Sequence, residues 1–383
     1  MRLFVIGVGQ CGGRIADEFV RMDKHARKNT DSSFLVDAIA VNADMADLLV
    51  LKDIKKDSIH RLAIGLDRTG GHGTAKDADT GAMLMDIDAQ SFLSTVRSTG
   101  TVSMADAFLL ICGTGGGMGS GATPIIANIL RDNFNKPILA FCVLPFAHEE
   151  SIEERSSHNT AIALKTLDNS CEAVFVADNA LFMRQNESLN ENISAINKHY
   201  VSLFMNFVLN GGNRKANDGS LAVGELIYNL KGFCVLGRGQ TILGGSGNSF
   251  QKRGMRVQNA IGALNSACGQ TSCRLDLKNV SLLYLVANVD KKKFDDSMLN
   301  EVAESVKKSC PRANVVTAFK HNDNHNVVDI SVLFVNNDLP IVNEYYSKGT
   351  EMQMRMDERE RSRQEDRIRT DELAQDLPSL LDS

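Results

Sequence analysis

Residues 113–121 read GTGGGMGSG and are of the kind that bind anions. Six of these nine residues are glycine, and they follow the apolar run of residues 107–112. Glycine costs conformational entropy, so such a run needs a compensating use, and the usual one is a loop whose backbone N–H groups surround a phosphate. We expect a helix to open at about Gly119. Phosphate would then be held by backbone N–H groups, the Thr114 and Ser120 hydroxyls and the helix N-terminus.

A second glycine loop follows the first apolar segment, where residues 7–13 read GVGQCGG. This matches G-x-G-x-x-G, which alone indicates a dinucleotide site. The acidic residue expected at the end of the next strand is replaced by Asn42-Ala-Asp44. A P-loop is excluded because no G-x-x-x-x-G-K-[ST] occurs. Two glycine loops suit a triphosphate better than a nicotinamide dinucleotide, although an NAD-dependent Rossmann enzyme remains a rival that gives residues 113–121 no role.

Short apolar runs alternate with amphipathic segments in the first half of the chain. The expected strands cover residues 3–8, 38–42, 61–65, 107–112, 137–144 and 173–177. Alternation with helical segments, such as 119–131 and 152–167, predicts a doubly wound, mostly parallel α/β sheet. Ligands bind such sheets beyond the carboxyl ends of the strands, where both glycine loops fall.

The second half of the chain begins with a long helical pattern over residues 188–210, which stops at Gly211. Further strands are expected at 232–236, 281–289, 313–319 and 327–335, with a helix at 296–308. This pattern predicts an α+β unit with a mixed or antiparallel sheet. Residues 352–373 are rich in charge and lack an apolar period, so we expect a solvated, partly formed helix.

Composition narrows the function classes. The chain has 383 residues, 43% hydrophobic and 23% charged, as is usual for globular proteins. A net charge of −5 argues against nucleic-acid binding. Its eight cysteines form no C-x-x-C pair and predict reduced core thiols. No apolar run is long enough to span a membrane, and a strand-like start without a signal peptide predicts a cytoplasmic protein.

The motifs together resemble the tubulin/FtsZ superfamily. Residues 113–121 are similar to its GGGTGSG signature, with Met118 where Thr usually stands, and residues 10–13 resemble the first nucleotide loop of eukaryotic tubulins. Residues 40–44 and 72–81 look most like the archaeal CetZ branch. The resemblance implies a GTP-binding domain over 1–186, a central helix over 187–212, an α+β domain over 213–340 and a charged tail over 341–383.

The resemblance also implies a site for GTP or GDP. Residues 7–13, 72–81 and 113–121 would surround the phosphates, Glu149 would contact the ribose, and Asn179 and Asn197 would read guanine. A carboxamide can accept from guanine N1–H and N2–H₂ and donate to O6, whereas adenine has the opposite polarity. The expected contacts are Gly9, Gln10, Cys11, Gly12, Asn42, Gly73, Thr74, Gly113, Gly115, Gly116, Gly117, Met118, Gly119, Ser120, Glu149, Asn179 and Asn197.

In this superfamily an acidic residue after the central helix orients water in the neighbouring subunit's site. The usual N-x-D-x-x-[DE] spacing is not kept here, so Glu225 is the first candidate and Asp218 the second. Mg²⁺ is expected with the phosphates, but its ligands cannot be named.

The resemblance therefore predicts an assembly-dependent GTPase. It would polymerise with itself head to tail and serve cell shape or division. A GTP-binding switch that does not polymerise is the alternative. The apolar residues 377–381, from Leu377 to Leu381, are a possible docking peptide for an adaptor.

Overall fold

The computed structural model describes residues 1–30, 33–184, 187–211, 223–244, 249–290, 292–321 and 326–374. In these ranges no helix is both long and apolar enough to cross a lipid bilayer.

Ten strands form one continuous sheet. In chain order they are β1 (Leu3–Val8), β2 (Leu35–Asn42), β3 (Arg61–Ala63), β4 (Ala107–Gly113), β5 (Ile138–Leu144), β6 (Ala173–Asp178), β7 (Gly232–Ile242), β8 (Leu282–Val289), β9 (Asn314–His321) and β10 (Val327–Asn336). The spatial order is β3-β2-β1-β4-β5-β6-β7-β10-β8-β9. The first seven strands pair in parallel, β10 runs antiparallel to β7 and β8, and β8 is parallel to β9.

Thirteen α-helices cover the sheet within the described residues. They are α1 (Gly9–Thr30), α2 (Met45–Leu49), α3 (Leu66–Thr69), α4 (Ala78–Ile87), α5 (Ala89–Ser98), α6 (Gly117–Asn133), α7 (Ala147–Ile152), α8 (Glu154–Ser170), α9 (Leu189–Gly211), α10 (Val223–Asn229), α11 (Ser249–Gly269), α12 (Asp296–Lys307) and α13 (Pro340–Ala374). Every residue of β1 and β5 is buried, because helices pack on both faces of the parallel part.

The long helix α9 packs on one face of the sheet through aromatic side chains. Phe204 lies at its centre and makes edge-to-face contacts with Phe19 of α1, Phe141 of β5 and Phe175 of β6, at centroid distances of 5.6, 5.9 and 4.9 Å. This geometry is favoured by the ring quadrupoles. The cluster fixes α9 on this face of the sheet.

The mostly parallel α/β fold is confirmed, and each expected strand is present, β1 with the expected bounds and the others with shifted ends. The largest shift is in β7, which continues to Ile242 because residues 237–242 pair with β10. The second half adds strands to the same sheet and does not build a separate one. The helix expected over residues 352–373 is α13, which begins at Pro340, twelve residues earlier. The division of the chain into four parts stays a prediction.

Candidate functional site

A cavity of about 320 Å³ opens at the carboxyl edge of the sheet. Its walls come from the ends of β1, β2, β4, β5 and β6 and from the first turns that follow them. The chain order reverses between β1 and β4, whose carboxyl ends both carry glycine loops. Such a reversal point is where α/β sheets bind ligands.

The two glycine loops touch each other at the floor of this cavity. Gly9 has a φ of +72°, and a Cβ added there would lie 3.2 Å from the Gly119 nitrogen. Gly116 has room for a Cβ with no heavy atom within 4 Å, and it lines the cavity. The loop backbone is therefore exposed to a ligand at Gly116, while Gly9 allows the loops to approach each other.

Helix α6 begins at Gly117, two residues earlier than the sequence indicated. No side chain caps its N-terminus, so its first N–H groups are available to an anion, which the helix dipole also attracts.

Neither hydroxyl expected to hold phosphate lines the cavity. The Thr114 hydroxyl is fully buried, where it donates to the Val143 carbonyl at 3.2 Å. Ser120 donates to the Gly116 carbonyl one turn back on α6. That part of the prediction is wrong because both groups are used inside the fold, which leaves backbone N–H groups as the anion donors of this loop.

The loop of residues 72–77 forms the part of the cavity wall next to the glycine loop of residues 113–121. Ala75 and Lys76 adopt left-handed φ values of +47° and +59°, the two positive values among the described non-glycine residues. A Cβ on Gly117 would lie 2.3 Å from the Thr74 hydroxyl, so α6 and this loop are in direct contact. Consecutive left-handed residues are costly and occur mainly at functional sites.

Charged side chains of both signs line the cavity. The cations are Arg14 of α1 and Lys76, whose ammonium lies 3.4 Å from the Glu153 carboxylate. Asp47 accepts hydrogen bonds from Gln10 at 2.6 Å and Asn42 at 3.1 Å, and so joins the first glycine loop to the end of β2. Within the described part of the chain no three His, Cys, Asp or Glu side chains are grouped to hold a metal ion.

The far end of the cavity is lined by Cys11, Asn179, Ile193 and Asn197. The Asn179 side-chain oxygen is buried and has no hydrogen-bond partner, which a ligand donor would supply. Burial raises the pKa of the Cys11 thiol to about 12, so that it is neutral. This end therefore combines an apolar wall with an unpaired carboxamide acceptor, as a purine with N–H donors requires.

Glu149, expected at the ribose, lines the cavity beside Phe146. Its carboxylate accepts a hydrogen bond from the Phe146 backbone N–H at 3.0 Å and closes the first turn of α7. One carboxylate oxygen is thus used by the fold.

Residues 2–187 match the model of the Tubulin/FtsZ family GTPase domain. The match covers slightly less than half of the chain. Tubulin-like protein CetZ1 of Haloferax volcanii is 34% identical over 204 residues, which are 53% of this chain and 49% of that protein. The match thus spans about half the length of this curated relative.

Solved structures extend the similarity of the Tubulin/FtsZ fold to nearly the whole chain. The GDP-bound monomer of CetZ1 from Haloferax volcanii has a TM-score of 0.79 and 24% identity, over 92% of this chain and 100% of that one. A GTPγS-bound protofilament of CetZ2 from the same organism has a TM-score of 0.78 and 23% identity, over 93% and 100%. At these identities the likeness shows the fold.

The structure brings fifteen of the seventeen expected nucleotide contacts to the cavity of the Tubulin/FtsZ domain. The two others are Ser120 and Gly12, which lies behind the loop, where a Cβ would come 2.1 Å from the Ile111 carbonyl oxygen. Sequence reasoning did not assign Arg14, Asp47 or Ser156 to the cavity. Arg14 lies one turn after Gln10 on α1, and that helical spacing was the available signal.

Glu225 lies far from this cavity. It is exposed in the first turn of α10, which directly precedes β7. Its neighbours Gly224 and Tyr228 line a second cavity together with Asp106, Pro137 and other residues that precede the parallel strands. Glu225 therefore belongs to the amino edge of the sheet. Asp218 lies outside the described residues.

Proposed function

We propose that this chain binds GTP, assembles head to tail and hydrolyses GTP where two subunits meet. The single observation that carries the proposal is the placement of the cavity and Glu225 at opposite edges of one parallel sheet. A strand of seven residues is about 20 Å long, so Glu225 cannot reach a nucleotide in its own subunit. A second copy stacked on the first would bring its Glu225 to the cavity.

Guanine nucleotides fit the cavity by its chemistry. The contacting loops and the start of α6 supply N–H donors for phosphates, and the buried Asn179 oxygen matches guanine donors. The match of residues 2–187 to the Tubulin/FtsZ family GTPase domain supports GTP over NAD, and CetZ1 has been seen with GDP. Mg²⁺ would be held mainly by the phosphates and water, because the nearby Asp44 caps α2 and Asp47 binds Gln10 and Asn42.

Self-assembly is the proposed partner interaction. Head-to-tail stacking through two different surfaces gives an open filament when the rotation does not close. CetZ2 of Haloferax volcanii forms a protofilament in its solved structure, which supports the same mode here. A role in cell shape or division follows the CetZ resemblance. The adaptor peptide at Leu377–Leu381 lies outside the described residues and stays a prediction.

The deciding experiment measures phosphate release with GTP and with ATP across a dilution series of the protein. We expect release with GTP only, at a rate per subunit that rises above a threshold concentration, because the site is completed by a neighbour. Light scattering with GTP should rise at the same threshold. A constant rate per subunit would refute catalysis across the interface. GTP binding without release or scattering would support the switch that does not polymerise.

A further inference from the structure

Helix α8 presents a polar face to the nucleotide cavity. Ser156, Asn159 and Thr160 lie at i, i+3 and i+4, so they share one side of the helix, and all three are at most 3% exposed. The buried apolar residues Ala163, Leu164 and Leu167 continue the same side of the helix toward its C-terminus. Buried polar side chains on a helix need partners, and here they include residues of the loop 72–77 and of the glycine loop 113–121.

Asn159 joins these two loops. Its side-chain amide donates to the Lys76 carbonyl at 2.9 Å and to the Gly115 carbonyl at 3.3 Å. Lys76 belongs to the loop of residues 72–77, and Gly115 belongs to the glycine loop before α6. One buried NH₂ group therefore fixes the distance between two backbone segments that are about 40 residues apart in the chain.

Ser156 and Thr160, the other two polar residues of this face, contact the glycine loop of residues 113–121. A Cβ on Gly115 would lie 2.4 Å from the Ser156 hydroxyl, so these residues are in close contact. The Thr160 hydroxyl lies 3.1 Å from the Thr114 hydroxyl and 2.8 Å from the Ser156 carbonyl, and its single proton can be donated to either. The glycine loop is thus fixed to α8, and Asn159 extends this fixed frame to the loop of residues 72–77.

The bonded carbonyl belongs to a residue with a costly conformation. Lys76 and the preceding Ala75 are both left-handed, a conformation that is unfavourable for L-residues without support. Such conformations persist where surrounding contacts determine them. The Asn159 bond to Lys76 is a contact of this kind, and it acts at the cavity wall.

We propose that Asn159 is a positioning residue that holds the loop of residues 72–77 against the glycine loop, in the arrangement that receives the phosphates. The part that concerns nucleotides rests on the proposed function. Asn159 does not line the cavity, so it acts through the carbonyls of Lys76 and Gly115.

The first test uses the full chain without nucleotide. Hydrogen exchange is compared in the wild type, Asn159→Ala and Asn159→Asp, which keeps the shape but removes the donor. The Gly73 amide donates to the Ala43 carbonyl just after β2, and the Asp77 amide donates to the Thr74 carbonyl within the loop. We expect both amides to exchange about tenfold faster in both variants. Asn169→Ala is the matched control, since Asn169 is on the same helix and bonds only within it.

The second test compares guanosine with GDP in competition binding. Loss of the Asn159 hydrogen bonds should weaken the binding of GDP about tenfold and leave the binding of guanosine unchanged, because guanosine has no phosphates. A residue that merely supports the fold would weaken both ligands equally, and that result would overturn the proposal.

Exchange at Gly73 and Asp77 that stays at the wild-type rate in both Asn159 variants would also overturn it. Asn159→Asp keeps the test valid if Asn159→Ala fails to fold. If the wild type bound no guanine nucleotide, the proposed function would fail, while the exchange rates would still decide whether Asn159 clamps the loop.

Discussion

Gly116 and Glu225 lie at opposite ends of the same parallel sheet. Gly116 follows the carboxyl end of β4 and faces the nucleotide cavity, while Glu225 is in the helix that precedes the amino end of β7. β4 and β7 are connected by parallel pairing through β5 and β6. The separation makes it possible to inactivate the two ends independently.

We expect two inactive variants to restore turnover when they are mixed. Gly116→Asp adds a negative charge to the phosphate site in open space, so it should block nucleotide without disturbing the fold. Glu225→Ala should bind GTP normally and release little phosphate. A mixed interface that pairs an intact cavity with an intact Glu225 should recover a measurable fraction of the wild-type rate in a phosphate-release assay.

Glu304→Ala, which removes an exposed acid on α12, is the control and should hydrolyse GTP normally. Absence of recovery in the mixture, with both variants folded, would contradict hydrolysis across the interface. If Glu225→Ala alone kept full activity, Asp218 would become the candidate.

Asn179→Ala should lower the affinity for GDP by at least about tenfold and reduce the preference for GTP over ATP. The reason is that guanine donors would then meet no acceptor at a buried position. Competition binding with GTP and ATP measures both effects. Asn206→Ala on α9 is a matched control, because its side chain bonds to Ser202 of the same helix. Unchanged selectivity in Asn179→Ala would mean that another group reads the base.

Much of the parallel sheet and most of the residues that line the cavity could be predicted from the sequence. Apolar runs of β-length marked β1, β4 and β5, because strands buried on both faces need no polar residues. Glycine patterns indicated the loops, because a positive φ and close backbone contacts favour glycine, as the structure shows at Gly9. What could not be predicted was the direction of individual side chains, such as the Thr114 hydroxyl, which depends on partners from distant segments.

The contacts of Asn159 could not be predicted from the sequence either. Its role depends on carbonyls that lie 83 and 44 residues away in sequence, and no local pattern encodes that contact. The continuity of the second half with the first sheet was missed for a similar reason, because three residue pairs between β6 and β7 produce it.

Phe204→Ala should destabilise the protein by about 3–5 kcal/mol, since it removes a fully buried ring from four-way aromatic packing. Chemical denaturation measures the free energy of unfolding. Phe250→Ala is the matched control, because Phe250 is 81% exposed and should cost little. Similar losses in both variants would show that α9 does not anchor the core through Phe204.

The stability of the protein should fall as the pH drops below about 6.5, partly because of His199. Burial, together with Arg238 and Arg184, lowers the pKa of this histidine in the folded state. Between that lowered pKa and about 6.5 the unfolded chain binds more protons, so the free energy of unfolding rises with pH. His199→Phe keeps the packing against Phe182 and should flatten this slope in thermal melts from pH 5 to 7.5. The exposed His25→Phe should leave the slope unchanged.

Ala75→Gly should raise the free energy of unfolding by about 0.5 kcal/mol. A left-handed L-residue costs roughly 1–2 kcal/mol, whereas the added chain entropy of glycine costs about 0.5–1 kcal/mol. Ala46→Gly, at an exposed position inside α2, should instead lower stability. Denaturant titrations compare the two. A loss of stability in Ala75→Gly would mean that the left-handed conformation at Ala75 is unstrained.

The join between β6 and β7 consists of three residue pairs, against six between β5 and β6 and ten between β7 and β10. Only the pairing of the edge strand β3 with β2 is as short, also with three residue pairs. A force that pulls β1–β6 away from β7–β10 would therefore act on the three residue pairs between β6 and β7. The sheet would separate there first, and α9, which contacts strands on both sides, would still connect the two parts.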